Sequence, residues 1–77
     1  MRTFALIAAE IQTKWKNINP YAKEYLDAMA AIFTSDKNSR YYFDTAETIV
    51  LYFLSNASGW KGEDARRIKA ELKSMIR

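Results

Sequence analysis

Apolar residues recur along the chain at steps of three and four, and the breaks in that rhythm divide it into four segments. Phe4, Ile7, Ala8, Ile11 and Trp15 form the first stripe, which predicts a helix over 4–16 with one apolar face. Asn17 and Asn19 interrupt it. Asn19-Pro20 then reads as an N-cap followed by proline at the first helical position, where the missing N–H costs nothing. The second helix is expected over about 20–33, through Tyr21, Ala22, Tyr25, Leu26, Met29, Ile32 and Phe33. Its end, AMAAIF, is apolar all round, which predicts burial on more than one side.

The polar run TSDKNSR and the aromatic YYF make 34–43 the longest connection. Asp44 and Glu47 match the spacing of a capping box, with Tyr41 and Phe43 expected to pack back onto the core ahead of it. A third helix follows to about Ala57, with Ala46, Ile49, Val50, Phe53 and Ala57 on one face. In the corner NASGWKGED, Gly59 suits the left-handed residue after a helix end. Trp60 would then fold back on Leu54 in a Schellman closure. Gly62, Glu63 and Asp64 open a fourth helix striped by Ala65, Ile68, Leu72 and Met75/Ile76, with acids near its positive dipole end and Lys73 and Arg77 near its negative end. No repeat, low-complexity tract or linker divides the chain, so 1–77 is expected to be one all-α domain, a compact four-helix arrangement with short connections at 17–19 and 59–62.

Size sharpens this picture. A domain of 77 residues buries only about 60% of the surface its unfolded chain exposes, so its core must be dense in large side chains. Nearly half of the residues are hydrophobic, in keeping with a folded domain. Trp15 and Trp60 are expected to fill that core. The N-terminal apolar run is broken by Glu10 and lacks a cleavage site, which argues against a signal peptide, and no run is long enough to span a bilayer. A soluble, cytoplasmic protein is expected.

Chemistry is limited by what is missing. Without cysteine or histidine there are no disulfides, thiolate or imidazole metal sites, or imidazole general base, so a non-enzymatic protein without cofactor or metal is expected. The carboxylate pairs Glu24/Asp27 and Glu63/Asp64 fit helix surfaces. The sequon Asn56-Ala57-Ser58 lies at a predicted helix end and is set aside.

Net charge is +3, and the excess lies in residues 61–77. Arg66, Lys69, Lys73 and Arg77 follow at steps of three, four and four, a basic ridge suited to phosphates or an acidic protein face. The bland alternative is a solvated helix surface supported by Glu63–Arg67 at i,i+4. Lys37, Arg40 and Tyr42 mix cations with an aromatic, as protein hot spots and single-strand nucleic-acid surfaces both do. Helices three and four superficially suggest a helix-turn-helix DNA reader, but Glu63 and Asp64 would then face phosphates.

Trp15-Lys16-Asn17, Tyr25–Met29 and the run Ile49–Lys73 together resemble small bacteriophage- and prophage-encoded helical proteins of the accessory type. That resemblance implies expression in a bacterial host and action by binding. The partner would be a host protein or protein–nucleic-acid complex, with anti-defence inhibition, CRISPR included, as one form. Direct nucleic-acid binding and a homodimeric interaction module are the alternatives. The partner-binding residues expected are Lys37, Arg40, Tyr42, Arg66, Lys69, Lys73 and Arg77.

Overall fold

Thr3 caps the first helix by accepting from the Leu6 N–H, and α1 runs over Phe4–Lys14. It buries Phe4, Ile7, Ala8 and Ile11, with Trp15 closing the same stripe. The computed structural model describes all residues from 1 to 77. Asn19 caps α2 (Pro20–Met29) through its Oδ1, which accepts from the Ala22 N–H at 2.8 Å. Its Nδ2 meanwhile donates to the Asn56 carbonyl at 2.7 Å, so one side chain serves the start of α2 and the end of the third helix.

Helix α2 stops four residues before the predicted end at Phe33. The chain tightens into three-residue turns, Ala31 N–H to Ala28 and Ile32 N–H to Met29. The carbonyls of Ile32 and Thr34 then turn outward and accept from Ala5 and Phe4, two of the otherwise unpaired N–H groups that open α1. Leaving the helix is what frees those carbonyls. The consequence is that Ile32 is buried but Phe33, expected in the core, is 77% exposed.

Residues 40–45, expected as loop and capping box, form a small antiparallel hairpin. Its strands are β1 (Arg40–Tyr41) and β2 (Asp44–Thr45), with Tyr41 opposite Asp44 and Arg40 opposite Thr45. The architecture is therefore mostly helical but not purely all-α. Because Asp44 is in the hairpin, the cap of α3 (Ala46–Ser55) falls to Thr45, whose hydroxyl accepts from the Thr48 N–H. The predicted Asp44/Glu47 box does not form: the N–H groups of Ala46 and Glu47 donate instead to the Ser39 and Lys37 carbonyls at 2.7 and 2.9 Å.

Helix α3 packs most extensively on α2, and α4 (Glu63–Met75) lies against α1. All 20 buried side chains are apolar, and no buried side-chain N or O lacks a partner, so the core is a single hydrophobic cluster. The corner between α3 and α4 differs from the Schellman expectation. Gly59 keeps a negative φ, and the left-handed backbone falls at Gly62, whose φ of 108° opens α4. Trp60 packs on another aromatic ring. It stacks on Trp15 with ring centroids 5.5 Å apart and planes within 9°, and Trp15 in turn meets Phe53 edge-on at 6.2 Å. No helix is long and apolar enough to cross a membrane.

Candidate functional site

The basic ridge of α4 is not one surface. Arg66 and Lys73 are exposed, but Lys69 turns inward. Its ammonium donates to the carbonyls of Ala57 and Trp60, both at 2.7 Å, and stands 6.0 Å from the Trp60 ring centre. It closes the α3–α4 corner in place of a left-handed glycine. Burial, then repulsion from Lys61 and Lys73, push its pKa below the usual lysine value. A lysine held in this way is structural, and the expectation that it belongs to an exposed binding row is corrected by its two carbonyl partners.

Lys37 and Arg77 are brought together. The Lys37 ammonium donates to the Arg77 carbonyl at 2.6 Å, which joins the long connection to the end of α4. Lys73 and Arg77 flank a shallow groove whose apolar side is Leu51, Leu54 and Ile76.

Arg67 lies within a charge network that periodicity does not predict. Glu10 on α1 accepts from Arg67 and from Arg2 through separate oxygens, each at 2.8 Å. Arg2 grips Glu71 with two further bonds of 2.6 and 3.0 Å. Arg67 also reaches Asp64 at 3.0 Å, so the intrahelical partner is Asp64 and not Glu63. Hydrogen bonds from Arg67, then Arg2, hold the Glu10 carboxyl down at about 2, and Arg2 likewise lowers Glu71. These groups stitch α1 to α4 and leave Arg67 little capacity for a partner.

The most exposed aromatic side chains stand at the hairpin tip. Tyr42 and Phe43 are its two turn residues, 81% and 95% exposed. Tyr42 has a φ of 57°, a left-handed conformation that glycine adopts freely and a bulky side chain seldom does. In two-residue hairpin turns a position of positive φ is usually taken by glycine, asparagine or aspartate. Tyr41 lies half-buried against the core and meets Tyr42 edge-on at 4.8 Å. Phe43, expected to pack inward, cannot do so because in a two-residue turn it is carried over the end of the strands. Arg40, exposed on β1, reaches the Phe43 carbonyl at 3.4 Å. Beside Tyr41, the carboxylates of Glu24, Asp27 and Asp44 surround a shallow cleft of about 240 Å³.

The base of the hairpin is fixed from several directions. Asp36 accepts from the Asn38 N–H, the Ser39 N–H donates to the Asp36 carbonyl, and the Thr34 and Ser39 hydroxyls bond to each other. Carbonyls on both sides of this turn cap α1 and α3. Of the residues expected to bind a partner, Arg40 and Tyr42 thus share this projection, and Lys37 lies at its foot. Arg66 and Lys73 stay on α4, Arg77 follows its C-terminal end, and Lys69 belongs to the α3–α4 corner. No family model matches the chain, and neither a curated protein nor a solved structure is significantly similar to it.

Proposed function

We propose that this chain is a non-catalytic binding protein that docks the Tyr42–Phe43 hairpin tip into an apolar pocket on a partner protein. The observation that supports the reading is the pairing of two adjacent, almost fully exposed aromatics with a backbone angle unfavourable to the residue that carries it. Single exposed apolar residues need no explanation, but strain retained at a projecting aromatic turn is the kind of feature that function preserves. Aromatic and arginine anchors carry most of the energy of protein interfaces, and Arg40 stands beside the pair. The capped base means that little conformational freedom remains to be lost on binding. The carboxylates of Glu24 and Asp44, Asp27 being paired with Lys23, favour a partner with cations at the rim of that pocket. Together with the resemblance to phage-encoded accessory proteins, this makes inhibition or regulation of a bacterial host protein the working function.

The test is photo-crosslinking from a reactive phenylalanine analogue at position 43 in bacterial lysate, competed by unlabelled protein. Unlabelled parent is expected to suppress one crosslinked species, and the Tyr42→Gly/Phe43→Ser variant is expected to fail to do so. Loss of one such anchor costs about 2 kcal/mol or more, roughly a 30-fold loss of affinity. Equal competition by parent and variant would remove the tip from the interface.

A further inference from the structure

We infer that the opposite end of α3 carries a second, separate site: a notch that binds phosphate groups. The ends of α1 and α2 and the α3–α4 corner enclose a concavity of about 450 Å³. Lys14, Lys16 and Lys61 line it, with Asn17 and Gly59 between them, and no carboxylate takes part in its wall. Of the three, Lys14 forms a long ion pair with Asp64 at 3.8 Å, and the other oxygen of Asp64 is bonded to Arg67. Lys16 and Lys61 have no anionic partner, and the backbone N–H groups of Asn17, Gly59 and Lys61 donate to no protein acceptor. Three cations in a concave, weakly polarisable wall concentrate positive potential, and lysines serve as point charges toward phosphate.

The stacked Trp15 and Trp60 form the back of the notch but are only 7% and 5% exposed. Their faces are occupied by each other, so they offer no platform on which a base could stack. Recognition is therefore of the phosphate and not of a base, and on a strand it would be independent of sequence. Helix α3 has ten residues, about 15 Å at helical rise, and separates this notch from the hairpin, so either site can fail without the other.

The tryptophans, two in the whole chain, provide the reporter. Inorganic pyrophosphate and a short single-stranded oligonucleotide would be titrated, following tryptophan emission and backbone amide resonances. Saturable shifts at Asn17, Gly59 and Lys61 are expected. Binding should weaken at least tenfold in the Lys14→Gln/Lys16→Gln/Lys61→Gln variant and hold in Arg66→Gln/Lys73→Gln. Three contacts to a single strand predict an affinity loss of about 18-fold between about 50 and 200 mM salt. Saturation by pyrophosphate with no gain for the oligonucleotide would assign a free phosphate or nucleotide. Binding of the oligonucleotide at least tenfold tighter would assign a nucleic-acid strand. Shifts with neither probe, shifts centred on Lys73 and Arg77, or undiminished binding by the triple variant would overturn the site and leave a solvated lysine cluster only.

Discussion

Replacing Lys69 by methionine separates a corner-closing lysine from a surface one. The substitution keeps most of the aliphatic stem and removes two hydrogen bonds of 2.7 Å. The Ala57 carbonyl keeps the Trp60 N–H as a partner, but the Trp60 carbonyl has no other protein donor. Charged hydrogen bonds contribute about 1.5–3 kcal/mol each, and an orphaned buried acceptor costs about 1–3 kcal/mol. Against this stands the cost of holding a partly buried ammonium near Lys61 and Lys73, which the depressed pKa reflects. The balance is a loss of about 2 kcal/mol. For a domain of this size each kcal/mol shifts Tm by about 4–8 °C, so Lys69→Met should melt roughly 10 °C or more below the parent. Urea unfolding followed by tryptophan emission should show a lower midpoint with an unchanged slope. Lys73→Met, at an exposed position with no side-chain bond, is the control and should stay within about 0.5 kcal/mol. If the two variants melt together, Lys69 is solvated and the account of the corner is wrong.

Gly62→Ala should destabilise by about 1–3 kcal/mol in thermal melts, because its φ of 108° and ψ of −177° suit glycine alone, whereas Gly59→Ala, with negative φ and open space around the added methyl, should be neutral or slightly stabilising. Glu10 has a folded-state pKa of about 2 against an ordinary 4.5, so between these values the unfolded chain binds the extra proton and stability falls as pH falls through that window. Glu10→Gln should remove much of that acid slope in denaturant titrations at stepped pH. An unchanged slope would place the acid sensitivity elsewhere. Tyr42→Gly exchanges the edge contact with Tyr41 for a relaxed turn, and its Tm should lie within about 1 kcal/mol equivalent of the parent while partner competition is lost.

Helix positions and their buried faces were largely legible because they depend on local spacing. Asn19-Pro20, the stripe Phe4–Trp15 and the stripe Ala65–Met75 all behave as periodicity predicts. The errors lie where one segment completes another. Nothing within AMAAIF says that the Ile32 and Thr34 carbonyls are required by α1, so periodicity alone predicts a longer helix and a buried Phe33. The hairpin gives no sequence signal because its turn has tyrosine where glycine is usual, and Asp44 three residues before Glu47 then imitates a cap. Lys69 sits on a plausible basic row, and only the tertiary approach of Ala57 and Trp60 reveals its use. Composition alone points to Arg40 and Tyr42, whereas Phe43 emerges only from the pairing of the strands.

The segment between α2 and the hairpin has a further consequence for how the molecule opens. Its carbonyls hold the first amides of α1, at Phe4 and Ala5, and those of α3, at Ala46 and Glu47, about forty residues away along the chain. Lifting this segment exposes both helix starts at once. Native-state hydrogen exchange should therefore show these four amides opening with one common free energy, a cooperative unit defined by a connection and not by a helix.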